Sequence, residues 1–294
     1  LGCSLDLLAS AIHQYKGQII PIGILPTLKN AHLSREYMTD VPRYHVLAQQ
    51  LSKLRGAEFQ IHIKGEDKIQ TSPDQVTLEG ANTSFQFHLK TPISKFKNLF
   101  NAAQLVTPLV TAIAANSPIF LGKKLWQETR VALFKQAIDS RCEQSLNWRH
   151  PARVTYGQGW LRQGPWELFA ENVSIFPPII PLLNEEALKE EKLGEDEQGK
   201  DRFFELCLHH GTVWNWNRAV FAPGKTPHFR IEFRSLPSGP SVVDMLANAA
   251  VLVGLTVALS HKVDDYIARL PFKYAEYNFY RSAQFGLGVN LIWP

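Results

Sequence analysis

One short segment concentrates the side chains best suited to binding an anion or a metal ion. It runs from His228 to Arg234 and reads HFRIEFR. The period-two alternation predicts a strand that sends Arg230, Glu232 and Arg234 to the face opposite the core. On that face Glu232 could bind Mg²⁺ while an arginine binds phosphate or carboxylate oxygens. A surface ladder of ion pairs would produce the same pattern without any binding function.

A second segment, TSFQFHLK from Thr83 to Lys90, has the same alternation. It predicts a strand with Gln86 and His88 on one face and two phenylalanines and a leucine on the other. If this strand joins the sheet that contains Glu232, the polar side chains of both strands converge on one surface. A histidine at such a position is more often structural than a ligand, and that alternative stays open.

Two other segments combine aromatic and charged side chains. In WQETR, Trp126 and Arg130 lie four residues apart, which predicts that they share one face of a helix. A surface salt bridge beside a half-buried tryptophan is the alternative.

The segment from His209 to Arg218 holds two histidines, two tryptophans, two asparagines and an arginine. Such a set suits an amino-acid or nucleotide pocket, and a hydrophobic plug beneath the sheet is the structural alternative.

The elements that must position these residues are predicted from apolar spacing and from glycine and proline. Helices are predicted over residues 5–15, 42–55, 93–115, 125–138, 242–260 and 275–287, and strands over residues 18–25, 59–63, 83–90, 203–210 and 229–236. The absence of a repeating strand–helix–strand order favours an α+β fold with a mainly antiparallel sheet and flanking helices. We expect one domain over residues 1–294, with an exposed acidic insertion at about residues 184–202.

The composition argues against several classes of protein. The net charge is only +4 and no basic block concentrates it, so a nucleic-acid partner is not expected. The apolar stretches at residues 102–121 and 242–260 contain polar residues, and we expect buried helices rather than membrane spans. Three widely spaced cysteines fit a reducing cytoplasm. No dinucleotide, phosphate-loop, zincin or serine-hydrolase motif occurs.

Five short blocks follow one another along nearly the whole chain. They are ANTSFQFHL (residues 81–89), ANSP (115–118), LWQETR (125–130), HGTVWNWNR (210–218) and RIEFR (230–234). Together they resemble the ordered blocks of the glutamate-cysteine ligase family 2-like carboxylate-amine ligases. The resemblance implies a glutamine-synthetase-like antiparallel sheet that binds ATP and Mg²⁺ on one face. It also implies small-molecule substrates, a glutamate-like carboxylate and an amine, joined through an acyl-phosphate.

The resemblance further implies roles for individual residues. His88 and Glu232 would be metal ligands, assisted by Gln86 at the cofactor. Arg234 would contact the ATP phosphates, and Arg130 would contact a phosphate or the substrate carboxylate, so that both would act in catalysis. The implied substrate-binding residues are Trp126, Trp214, Trp216, Asn217 and Arg218.

One departure from the family pattern bears on activity. Family members begin with a strand of the form Gly-x-Glu-x-Glu that supplies further metal ligands, and nothing before Gln18 matches it. We therefore expect a chain that lacks this strand, either because it is an N-terminally incomplete fragment or because the protein is a degenerate homologue. The first hypothesis is an ATP- and Mg²⁺-dependent ligase. The second is a non-catalytic homologue that binds a nucleotide or an amino acid, and the third is an unrelated α+β binding module.

Overall fold

The structure is a computed structural model that describes residues 2–72, 77–141, 150–180 and 203–294. The insertion predicted at residues 184–202 lies outside these residues. Antiparallel strands with flanking helices make up the described fold, so the predicted α+β class is confirmed.

Helices and strands follow one another irregularly along the chain. The helices are α1 (Gly2–His13), α2 (Pro42–Arg55), α3 (Thr77–Gly80), α4 (Phe96–Ala114), α5 (Thr129–Ala137), α6 (Pro165–Ile175), α7 (Phe204–His210), α8 (Val242–Ser260), α9 (Val263–Ile267) and α10 (Phe272–Phe285). The strands are β1 (Ile61–Lys64), β2 (Lys68–Thr71), β3 (Phe87–Thr91), β4 (Ile119–Phe120), β5 (Lys123–Lys124), β6 (Val154–Thr155), β7 (Trp214–Asn215), β8 (Asn217–Ala222) and β9 (His228–Phe233). Strands β1 and β2 pair antiparallel, as do β4 and β5, whereas β6 and β7 pair parallel.

The largest sheet among the described residues is antiparallel and has the strand order β3-β9-β8. Phe87 pairs with Phe233 and Leu89 with Ile231 between β3 and β9. These side chains belong to one apolar cluster with residues of α4, and the Phe87 and Phe233 rings stack with their centroids 4.7 Å apart. Such a ring pair adds about 0.5–1.5 kcal/mol to the stabilisation from buried area. The polar residues of both strands are consequently left on the opposite face.

Helix α4 is buried against this sheet, as predicted. Its polar side chains make hydrogen bonds that connect it to other elements. Asn101 donates to the Leu161 carbonyl oxygen and accepts from the Leu161 amide, both at 2.8 Å. Asn217 of β8 donates to Gln104 at 2.7 Å. These bonds satisfy buried polar groups and fix the position of β8 relative to α4.

Two predicted strands do not form, and β2, β4, β5, β6, β7 and β8 are strands that the sequence did not predict. Residues 18–25 form no strand, because Pro21 removes a backbone donor that a sheet would need. The predicted strand at residues 203–210 is helix α7, since a short apolar run fits either period. The longest of these unpredicted strands is β8, whose first residue, Asn217, is polar and buried and so breaks the expected alternation.

Helix α8 differs most from its predicted environment. The sequence predicts burial, but only 17% of its most apolar stretch is buried. Leu252 packs into the cluster that includes α4, whereas Val243 is 75% exposed and Leu246 is 49% exposed. The prediction is wrong because hydropathy measures only how favourable burial would be. In the structure, α4 covers only one side of α8. Among the described residues, α8 is the one helix whose length and composition would permit a membrane span.

Two substitutions in α8 test this arrangement. Leu252→Ala should lower the free energy of unfolding by about 2–5 kcal/mol, because it leaves a cavity in the core. Leu246→Ala, on the exposed side of the same helix, should cost less than about 1 kcal/mol. Urea unfolding followed by circular dichroism measures both values. Equal losses for the two variants would contradict the described exposure of α8.

Candidate active site

The polar face of the β3-β9-β8 sheet brings together side chains from separate segments of the sequence. His88 lies opposite Glu232, and Glu232 lies opposite Arg218 on β8. Gln86, just before β3, accepts a hydrogen bond from Arg234 Nη1 at 3.3 Å. The two predicted strands are therefore neighbours in one sheet. The predicted convergence of their polar side chains on one face is confirmed.

Glu232 is the buried anion of this face. Its side chain is 4% exposed, and its two oxygens accept hydrogen bonds from different arginines. Arg218 Nε lies 2.5 Å from Oε2, and Arg234 Nη1 lies 3.2 Å from Oε1. Burial by itself would raise the pKa of Glu232, but the charges of the two arginines outweigh burial and lower the pKa. The carboxylate is therefore ionised at neutral pH.

The face as a whole carries positive charge. Arg218, Arg230 and Arg234 contribute guanidinium groups, and Glu232 contributes one carboxylate. Burial lowers the pKa of His88 and outweighs the opposing effect of Glu232, so the imidazole is neutral at pH 7. This balance of charge favours an anionic ligand such as a phosphate or a carboxylate.

The donors on this face do not fit a resident Mg²⁺ ion, which the family resemblance implies. Mg²⁺ prefers oxygen ligands in octahedral geometry. The predicted ligands are the imidazole of His88 and the carboxylate of Glu232, whose oxygens both accept bonds from arginines. In the segments that the structure describes, no group of three or more His, Cys, Asp or Glu side chains could hold a metal ion. We therefore assign no chemical step to a metal.

A cavity of about 700 Å³, the main cavity, opens beside the polar face. Its polar lining includes Arg234, Gln86, Ser84 and Glu79. Its apolar and aromatic lining includes Leu33, Tyr37, Met38, Tyr44, Leu47 and Trp214. The volume lies within the range of about 300–1,000 Å³ that is typical of small-molecule sites, and a few polar groups in an apolar wall are also typical.

Arg234 connects the main cavity to the polar face. Its Nη1 donates to Gln86 and to Glu232. Its Nε is buried and has no hydrogen-bond partner in the described part of the chain. A buried donor without a partner costs about 1–3 kcal/mol. An oxygen of a bound ligand that accepted this hydrogen bond would recover that cost.

A family comparison identifies the group to which the chain belongs. A sequence model of glutamate-cysteine ligase family 2 matches residues 9–163, which is more than half of the chain. The chain belongs to this family. The predicted family is thereby confirmed, with three of the five blocks inside the matched residues, and the family implies a carboxylate-amine ligase of the glutamate-cysteine ligase type. No curated protein matches the chain.

The match to glutamate-cysteine ligase family 2 covers only part of the polar face. It includes Gln86, just before β3, and His88 in β3. It ends before β8 and β9, which contribute Arg218, Glu232 and Arg234. The inclusion of these three residues in the site therefore rests on the sheet geometry.

Arg130, predicted to contact a phosphate or a carboxylate, has a structural position instead. Its side chain is 4% exposed, and its Nε lies 2.9 Å from Oε1 of the buried Glu128. Its Nη1 donates to the Arg234 carbonyl oxygen at 3.3 Å, and its Nη2 donates to the Ser235 carbonyl oxygen. The guanidinium therefore holds the end of β9 against the start of α5. A direct contact with ligand does not fit this geometry.

Trp126 also lies away from the polar face. Helix α5 begins at Thr129, so Trp126 precedes the helix and does not share a helical face with Arg130. Its ring lines a separate cavity of about 290 Å³, the smaller cavity, together with Lys135 and Tyr280. The predicted role of Trp126 in substrate binding therefore does not fit the main cavity.

The tryptophan-rich segment is divided between the site and the core. Trp214 lines the main cavity, and Arg218 belongs to the polar face. Trp216 is 1% exposed and packs in the core, so the alternative of a hydrophobic plug describes it better than substrate binding does. Asn217 is fully buried and bonded to α4, which also removes it from the site. Alternation along β8 explains why Asn217 and Arg218 face opposite sides.

Glu79 is a cavity residue outside every segment singled out in the sequence. It lies in the four-residue helix α3, is half-buried and lines the main cavity. Burial raises the pKa of Glu79, and the charge of Arg234 opposes this effect. No periodicity marks so short a helix. The sequence feature that could have identified Glu79 is its position two residues before the start of the ANTSFQFHL block.

The variant Glu232→Gln should reveal the ion pairs of the polar face as a pH-dependent loss of stability. Near pH 7 it should lower the free energy of unfolding by about 3–5 kcal/mol, because it breaks a buried charge pair. The pKa of Glu232 lies below its ordinary value of 4.5. The stabilisation is therefore complete above that value and is lost as the pH falls through the lower pKa of the folded state.

Urea unfolding at a series of pH values between 3 and 7 measures this difference. The gap between wild type and Glu232→Gln should narrow toward the acid end of the series. Glu66→Gln provides the control, because Glu66 forms an exposed ion pair with Lys124 and should change stability by about 0–1 kcal/mol. A gap of constant size across the series would contradict the lowered pKa.

Proposed function

We propose that the chain catalyses ATP-dependent ligation of a glutamate-like carboxylate to an amine through an acyl-phosphate. The observation that carries the proposal is the position of Arg234, at the boundary between the positively charged face and the main cavity. Membership of glutamate-cysteine ligase family 2 supports the ligase chemistry.

The chemistry has two steps with balanced charges. An oxygen of the substrate carboxylate attacks the γ-phosphorus of ATP, and ADP leaves, which gives an acyl-phosphate. The amine nitrogen then attacks the carbonyl carbon, and inorganic phosphate leaves as the amine loses a proton. Both steps develop negative charge on phosphoryl oxygens. Fixed guanidinium groups stabilise such charge without reorganisation at the moment of reaction.

Arg234 is the residue that we assign to this task. Its position is fixed before any ligand binds, because Nη1 bonds Glu232 and Gln86 and because Arg130 holds its backbone carbonyl oxygen. Arg218 pairs with the other oxygen of Glu232 and contributes positive charge to the same face. The arginines therefore form a rigid positive site rather than a flexible one.

The apolar part of the main cavity suits the flat base of a nucleotide. Tyr37, Tyr44 and Trp214 all line it. Aromatic rings bind a flat apolar surface with little loss of side-chain freedom and favour stacked or edge-to-face contacts. We assign these residues to the nucleotide base and the polar lining to the carboxylate and phosphates.

A second candidate function is a non-catalytic homologue that binds the same ligands. The observation that favours it is the engagement of both Glu232 oxygens by arginines, so that the described residues of this face include no acidic group free to bind a metal. This version predicts binding of Mg-ATP without release of ADP, so calorimetry and an ADP assay together distinguish the two functions.

Arg234 and Arg230 provide a matched pair of variants for testing the ligase proposal. Both lie on β9 or directly after it, on the same face, but only Arg234 lines the main cavity. Arg234→Ala should lower the rate of ADP release with glutamate and a panel of amines by at least about 100-fold, because it removes a fixed donor to developing charge. Arg230→Ala should lower the rate less than about tenfold.

Arg234→Lys tests whether the positive charge alone, without the planar guanidinium group, is sufficient for activity. Lysine keeps the positive charge but lacks the planar fork, so the rate should lie between those of wild type and Arg234→Ala. Circular dichroism establishes that each variant is folded. Equal rates in wild type and folded Arg234→Ala would overturn the assignment, and absence of ADP release by wild type with every amine would overturn catalysis.

A further inference from the structure

We propose that Glu79 binds the ammonium group of the glutamate-like substrate and thereby selects for a free amino group. The inference rests on the proposed function in that it takes the main cavity as the substrate site. It assigns a binding residue to one end of the substrate, the end opposite the carboxylate that faces Arg234. Three features support this assignment, namely the position of Glu79, the charges in the cavity and the lack of a hydrogen-bond or ion-pair partner for this carboxylate among the described residues.

The backbone that carries Glu79 is held firmly. Leu78 is fully buried in the apolar cluster that includes residues of β1 and α5. On one side, Thr77 Oγ1 donates to the Leu33 carbonyl oxygen at 2.9 Å. On the other, Asn82 Nδ2 donates to the Leu78 carbonyl oxygen at 3.1 Å. Glu79 is therefore placed at the cavity wall by its neighbours and needs no ligand to bring it there.

The charges in the main cavity are few and opposite. Among its described lining residues, Arg234 and Glu79 are the side chains that carry full charges, and His32 is the one imidazole. The Arg234 guanidinium is already paired with Glu232 at 3.2 Å. No ion pair or hydrogen bond to the Glu79 carboxylate occurs in the described part of the chain. The cavity thus offers one cationic and one anionic group to a ligand.

An unpaired carboxylate in a half-buried position is costly, and a cation relieves that cost. Taking an ionised carboxylate out of water without a partner is unfavourable. An ammonium group offers three donors and a full positive charge in a compact volume. A glutamate-like molecule carries its ammonium group at one end and the reacting carboxylate at the other. The ammonium group complements the charge of Glu79 and the reacting carboxylate complements that of Arg234, while the second carboxylate of glutamate lies beside the ammonium group.

The experiment compares two ligands that differ in the ammonium group. L-glutamate carries it, whereas glutarate has the same carbon chain and both carboxylates but no amino group. Calorimetry should show that wild type binds glutamate at least about tenfold more tightly than glutarate. Glu79→Gln should weaken binding of glutamate at least about tenfold, because it removes the partner of a desolvated charge. It should leave binding of glutarate unchanged or tighter.

Two further variants make the result specific. Glu79→Asp keeps the charge on a shorter side chain and should retain a preference for glutamate over glutarate. Glu66→Gln removes a carboxylate from an exposed ion pair that does not line the main cavity and should bind both ligands as wild type does. Thermal unfolding of Glu79→Gln should occur at or above the wild-type temperature, because an unpaired carboxylate has been removed.

The outcomes separate this inference from the proposed catalysis. Equal binding of glutamate and glutarate by wild type, or equal weakening of both by Glu79→Gln, would overturn the role of Glu79. A preference for glutamate that depends on Glu79, without release of ADP, would support this role and overturn catalysis. Release of ADP that responds to Arg234 but not to Glu79 would support catalysis and overturn the inference.

Discussion

The buried carboxylate of Glu232 is the constraint on which the described site depends. Burial of a carboxylate is unfavourable unless cations compensate for the lost hydration, and Arg218 and Arg234 provide that compensation to Glu232 from fixed positions at hydrogen-bond distance. Those positions in turn require β8 and β9 to keep their register. The side chains of the polar face are therefore held in place by the ion pairs that compensate the buried charge of Glu232.

A second buried pair supports the first. Glu128 has no exposed surface and accepts a hydrogen bond from Arg130 at 2.9 Å. The same guanidinium bonds the backbone carbonyl oxygens of Arg234 and Ser235. Glu128 also accepts bonds from the backbone amide of Asn116. The end of β9, the start of α5 and the loop after α4 are thus joined through a single carboxylate and a single guanidinium.

Sequence reasoning predicted the parts of this arrangement that follow simple periodicity. Strands β3 and β9 each bury one face, so alternation identified Gln86, His88 and Glu232 as neighbours on the other face. Strand β8 escaped prediction because Asn217 points into the core, where Gln104 and Thr107 satisfy its amide. Such buried polar hydrogen bonds depend on tertiary contacts, and no local sequence pattern predicts them.

The same limit applies to residue roles. A sequence does not distinguish an arginine whose donors are taken by carbonyl oxygens, such as Arg130, from one that keeps a buried donor unpaired, such as Arg234. Hydropathy likewise failed for α8, because coverage by a neighbouring helix is a property of packing. Glu79 was missed because its importance comes from the cavity wall on which it lies and from the absence, among the described residues, of an ion pair or hydrogen bond to its carboxylate.

Helix α5 has a mechanical consequence that follows from its length and its two ends. Its nine residues carry Arg130 in the first turn and Lys135 in the last turn, where Lys135 lines the smaller cavity. Roughly one and a half turns of continuous backbone hydrogen bonds separate these two residues. The wall of the smaller cavity and the carbonyl oxygens that Arg130 holds are therefore connected through one short helix.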